Sequence, residues 1–211
     1  MTVFRLRHVS WAVSFLATYR PYPRVHYSAT EATQPKVLNL TGLRYFADAP
    51  GDNFKKFRPP IAINGEITYL ALSGGGADGA FGAGALAGLS DAGTRPIFST
   101  VSGVSTGALI APFALLGTPY DPTLRELYTS GIAASLVDGA GPLGILATSG
   151  PLANNRLREL VDLYIDETLP EAIAAESIRG RLPLIITTSL DTQRASVWNL
   201  GKIAEIGTPL A

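Results

Sequence analysis

The chain has no cysteine. That excludes disulfides, thiolate nucleophiles and cysteine-ligated zinc at once, and leaves the redox compartment open. Histidine is almost as scarce. The two present, His8 and His26, lie in the first 26 residues, so the body of the chain has no imidazole for a metal site or a general base. Charge is thin: 16% of the 211 residues are charged, with 17 basic and 17 acidic side chains and a formal net charge of zero. Such a balance gives no electrostatic footprint for nucleic acid. No basic run is long enough to form a polybasic membrane patch, and no apolar run is long enough to span a bilayer as a helix. Hydrophobic residues nevertheless make up 46% of the chain, which marks a folded protein with enough length for a sizeable core in one domain.

The first 35 residues read as a leader. Arg5, Arg7 and His8 precede the short apolar run "VSWAVSFLA", and a Pro- and Tyr-rich stretch follows. A basic start and a short apolar run resemble a signal segment, which points to export or an envelope location in a bacterium. An ordinary amphipathic segment of a cytoplasmic protein is the alternative. Residues 36–66 read as an extension and linker, with "KVLNLTGLRYFA" as a short element and "DAPGDNFKKFRPP" as a polar, Pro-bounded connection.

From residue 67 the pattern becomes regular. "ITYLALS" (67–73) and "PIFSTVS" (96–102) are strand patterns, and "LPLIITTSL" (182–190) and "ASVWNL" (195–200) read as a hairpin around "DTQR". Helical patterns cover 79–93 with Gly93 as the stop, 105–117 with Pro112 as a kink or early end, 121–130 from an Asp121 cap, and 171–179. "NNRLRELVDLYI" puts Leu157, Leu160, Val161 and Tyr164 on one helical face. The alternation predicts an α/β fold: three layers, with a central, mostly parallel sheet and helices on both faces.

Glycine is concentrated at two strand exits, where open α/β sheets place their sites. At the second exit, Gly103-Val104-Ser105-Thr106-Gly107 fits G-x-S-x-G between a strand and a helix. This turn lifts a serine hydroxyl above the sheet edge, and Gly103 and Gly107 are small because strand and helix nearly touch. Ser105 is therefore the candidate nucleophile, and a packing turn with an incidental serine is the alternative. Acyl transfer through a serine creates an oxyanion that needs fixed donors at about 2.7–3.1 Å. Gly74, Gly75 and Gly76, at the first exit, supply bare N–H groups, joined by the N–H of Thr106.

Gly74-x-Gly76-x-x-Gly79 also fits a dinucleotide fingerprint after a strand. The acidic ribose partner expected about 20 residues further on is missing, since no Asp or Glu occurs between Asp91 and Asp121. A Walker A loop fails for want of Gly-Lys-Ser/Thr. No histidine follows Ser105, and His8 or His26 would serve only if the leader folded back over the sheet; the other option is a carboxylate acting directly on the serine.

"LALSGGGADGAFGAGAL" followed by "VSGVSTGALIAPFALLG" resembles the patatin-like phospholipases, lipid acyl hydrolases with a Ser–Asp dyad, and the likeness runs from about residue 67 to the C-terminus. The resemblance implies Ser105 as nucleophile, Gly74, Gly75 and Gly76 as the oxyanion loop, no metal or cofactor, and a lipid or phospholipid ester as substrate with peripheral membrane contact. Two departures stand out. Asp78 occupies the place where the family often carries Arg or Lys. The family's catalytic Asp-Gly-Gly or Asp-Gly-Ala motif is not found beyond "LPLIITTSL", so 67–211 reads as a C-terminally incomplete core, and a non-catalytic protein that binds lipid or a partner is the alternative. Asp138-Gly139-Ala140 matches that string but comes early and reads as a loop turn; Asp191 falls in the hairpin turn.

Overall fold

The computed structural model describes residues 42–55, 57, 60–129, 164, 168–189 and 192–207. All belong to one unit, Pro35–Ala211. In chain order the elements are β1 (Arg44–Phe46), α1 (Gly51–Phe54), β2 (Tyr69–Leu72), α2 (Gly79–Asp91), β3 (Thr100–Val104), α3 (Thr106–Leu116), α4 (Asp121–Thr129), α5 (Thr168–Ile178), β4 (Leu182–Ser189), β5 (Arg194–Asn199) and α6 (Leu200–Ile206).

Among the described residues the sheet has five strands in the order β1-β5-β4-β3-β2. β2 pairs parallel with β3 and β3 parallel with β4. β5 returns antiparallel to β4, and β1 lies antiparallel to β5. Four strands therefore point one way and β5 alone opposes them, the mostly parallel α/β sheet expected from the sequence.

Side-chain alternation along β4 assigns the two faces. Ile185 packs with Leu70, Leu72 and Val101 against α2, α3, α4 and α5, where Leu86, Ile110, Leu115, Leu124, Leu127 and Leu169 fill the main core. Leu184 and Ile186 point the other way, onto Tyr45, Phe54, Phe57 and Val197. Tyr45 and Phe57 meet edge-on with ring centroids 5.0 Å apart. Residues 48–60, polar in composition, thus contribute aromatic anchors to the second face through α1 and Phe57.

Local chemistry explains the element ends. Gly93, at φ 67°, takes the left-handed backbone after α2. The Asn199 side chain accepts from the Lys202 N–H at 2.9 Å and starts α6, a helix not read from the sequence. Several boundaries differ from the sequence reading. β3 begins at Thr100 rather than 96 and runs on to Val104 because Gly103 and Val104 pair with Ile185 and Ile186. Pro112 is buried inside α3 and does not end it. Asp121 is the first residue of α4, not its cap, and its carboxylate is taken by Arg95. The helix expected at 154–165 falls outside the described residues except at Tyr164, which packs against the main core.

Candidate active site

β3 delivers the chain to Ser105, and α3 departs from it. Ser105 sits at φ 53°, ψ −123°, a combination that an L-residue adopts at a cost of about 1–3 kcal/mol. Two glycines make the turn possible. A Cβ on Gly103 would lie 2.7 Å from the Ala108 nitrogen, and one on Gly107 would lie 2.8 Å from the Leu72 Cβ, with backbone closer still in both cases. The helix consequently rests on the backbone of β2 and β3.

Serine at a helix N-cap ordinarily turns its hydroxyl back to accept from the next turn. Ser105 makes no such bond, although its carbonyl already accepts from the Ala108 N–H at 2.9 Å. Its side chain is exposed. The positive φ thus goes with a hydroxyl that does not cap its own helix.

The first glycine-rich exit meets this turn. A Cβ on Gly74 would stand 3.0 Å from the Ser105 Cβ and 3.6 Å from its Oγ, so a side chain there would press on the serine. Gly76 takes φ 57° in the 3-10 turn Gly76–Asp78, a conformation that favours glycine. Gly75 sits at φ 171°, ψ 11°, and its Cβ position lies 3.3 Å from the Asp78 Cβ. The Thr106 hydroxyl donates to the Gly76 carbonyl at 3.0 Å and ties the loop to the first residue of α3. Gly79 opens α2 where any larger residue would strike the Thr106 side chain. As the first residues of α3, Thr106 and Gly107 have N–H groups without intrahelical acceptors.

A protein-family model decides what kind of domain carries this geometry: the patatin-like phospholipase model matches residues 70–200. The chain belongs to the patatin-like phospholipase family. No match was found among curated proteins or solved structures. The match begins inside β2 and ends at the first residue of α6, so this patatin-like domain contains both glycine-rich exits and the hairpin.

Ser105, Thr106, Gly74, Gly75, Gly76, Gly79, Gly103 and Gly107 gather at the carboxyl ends of β2 and β3 in this phospholipase-family domain. Asp78 is exposed and does not cap α2. Asp138, Asp191, His8 and His26 lie outside the described residues. Among the described residues no group of three metal-ligating side chains comes together.

Sequence reading overlooked Tyr128. Its hydroxyl lies 3.0 Å from the Cβ position of Gly79, behind the loop, and is buried without a partner among the described residues. Burial pushes that phenol up to about 12, so it stays neutral at any physiological pH. A tyrosine on a polar helix carries no sequence signal for such a place.

Proposed function

We propose that this protein hydrolyses lipid acyl esters, with phospholipids as the substrate class, through an acyl-enzyme on Ser105. The Ser105 Oγ attacks the ester carbonyl carbon and gives its proton to a carboxylate base. The carbonyl oxygen becomes an oxyanion held by the N–H groups of Gly75, Gly76 and Thr106, with Gly74 keeping the approach clear. Collapse expels the alcohol, which takes the proton from the base. Water then attacks the acyl-serine and loses a proton to the same base, which passes it to the departing Ser105 Oγ as the fatty acid is released. Each oxyanion donor is worth about 2.7–4 kcal/mol of barrier, more than the roughly 0.5–1 kcal/mol of backbone entropy that each glycine costs.

One observation carries this reading: a serine at φ 53° whose Cβ lies 3.0 Å from where a Cβ on Gly74 would be. Strained backbone is retained where the surroundings over-determine it, and such places cluster at functional sites. Family membership supplies the lipid ester as substrate class. Substrate at a bilayer implies peripheral membrane contact; among the described residues no helix is long and apolar enough to cross one.

A fluorophosphonate probe tests the proposal directly. Labelling at Ser105, abolished in Ser105→Ala, and release of fatty acid from phosphatidylcholine vesicles by the wild type alone are the expected results. Folded wild-type protein that neither labels nor hydrolyses would leave the non-catalytic, lipid-binding reading in its place. Asp138→Asn and Asp191→Asn, assayed the same way, would show whether either carboxylate is the base.

A further inference from the structure

We propose that Arg95 and Arg181 are positioning residues for Ser105, acting through the far end of α3. α3 leaves Ser105 and ends at Leu116, where the last carbonyls of a helix have no intrahelical donors. Two guanidinium groups meet the carbonyls of this last turn, where Phe113 also accepts from the Gly117 N–H at 3.0 Å. Arg95 Nη2 donates to Phe113 at 3.1 Å and to Ala114 at 3.2 Å. Arg181 Nη2 donates to the Leu115 carbonyl, and its Nε donates to Phe98 at 2.8 Å. Three successive carbonyls of one helix are thus held by two charged forks. Planar forks fix direction as well as distance.

Both arginines are placed to do this. Arg95 lies shortly before β3, and Arg181 immediately precedes β4, so each anchors α3 to the start of a strand it packs on. Their side chains are 4% and 9% exposed. Arg95 pairs with Asp121 at the start of α4, and Arg181 Nη1 bonds Glu176 of α5 at 2.8 Å. Stability alone does not account for the first pair. Buried ion pairs roughly break even against apolar packing, and here Arg95 Nε and Asp121 Oδ2 are buried without partners among the described residues. What the arrangement supplies is a fixed rotation and translation of α3.

The other end of α3 requires that. Ser105 holds a conformation it would relax from if the helix shifted. Pro112 removes the N–H that would bond the Ala108 carbonyl, so the middle of α3 is weaker than its ends. With the helix pinned at Leu115 by Arg181 and at Gly107 by the β2 backbone, the elbow has no room to relax. A misplacement of about 1 Å at a reacting centre costs on the order of 100-fold in rate.

The catalytic arm of the test rests on the Ser105 reading; a second arm does not. Arg95→Lys and Arg181→Lys keep the charge and lose the fork, while Asp121→Asn and Glu176→Gln keep the carbonyl bonds and remove the countercharge. For the lysine variants we expect kcat for ester hydrolysis and the fluorophosphonate labelling rate to fall about 10-fold to 100-fold, with KM unchanged. The Asn and Gln variants, whatever they lose in stability, should keep kcat and the labelling rate of their folded fraction close to wild type. In parallel, amide exchange of residues 103–107 should speed up in the lysine variants relative to β4, whereas a uniform loss of stability would raise both together. A uniform rise, or a rate loss matching the unfolded fraction, would overturn the proposal. If the wild type proves unreactive, the hydrolase reading fails, and the exchange pattern still decides whether the arginines hold the elbow.

Discussion

Thr106 and Gly76 are joined by one hydrogen bond, from the threonine hydroxyl to the glycine carbonyl at 3.0 Å. It connects the two glycine-rich exits, tying the loop at Gly76 to the first residue of α3. Thr106→Val keeps the shape and the backbone N–H but removes this donor and leaves the Gly76 carbonyl without it. The expected outcome is a loss of about 1 kcal/mol in stability and a larger fall, on the order of 10-fold, in the Ser105 labelling rate, because this contact fixes the proposed oxyanion donors. Thr106→Ser should restore both. Labelling kinetics and denaturant midpoints on the three proteins check it.

Among the helical glycines alanine separates two kinds. At Gly107 an added Cβ runs into the Leu72 backbone, whereas at Gly84 and Gly88 of α2 it meets nothing within 4 Å. Gly107→Ala should cost about 3 kcal/mol or more, since the neighbour is backbone and cannot rotate away. Gly84→Ala and Gly88→Ala should each stabilise by about 0.5–1 kcal/mol, the helix-interior penalty of glycine. Urea unfolding of the single variants gives the comparison.

The same contrast explains what could be read in advance. Short-range rules found the exits of β2 and β3 because G-x-S-x-G and the glycine run are consecutive in sequence. The β4–β5 hairpin was readable from two apolar runs and a polar turn. Long-range chemistry was not. Nothing local distinguishes Arg95 or Arg181, buried on helix carbonyls, from the exposed Arg179 two residues before Arg181. Phe54 and Phe57 sat in a segment polar enough to pass for a linker. The start of β3 was misplaced because Ile97 looks like a strand residue, yet it is 59% exposed and its carbonyl receives the Thr68 hydroxyl.

Glu176 gives a pH test with a definite sign. Burial pushes its carboxyl up, but hydrogen bonds and charge from Arg181 and Arg179 outweigh that and hold it below the ordinary 4.5. A lowered native value means that the unfolded state binds the proton first. The stabilisation is therefore complete above about pH 4.5 and disappears as pH falls through the lowered native value. Glu176→Gln should be less stable than wild type at pH 7 and should show a shallower loss of stability on acidification. The difference between the two denaturation midpoints, followed from pH 7 to about pH 3, should shrink steadily.

Ser105 sets chemistry against stability most directly. Its φ of 53° and ψ of −123° are disfavoured for serine but open to glycine. Ser105→Gly relieves that strain and removes a side chain that makes no capping bond, so it should stabilise the fold by about 1 kcal/mol. In a chain of this size that corresponds to a rise of roughly 2–4 °C in the thermal midpoint. Labelling and ester hydrolysis should vanish in the same protein. Ser105→Ala separates the two effects, because alanine removes the nucleophile and keeps the strain: it should be equally inactive without the gain in stability. Equal midpoints for the glycine and alanine variants would mean that the elbow stores no strain and that the serine is held there at no cost to the fold.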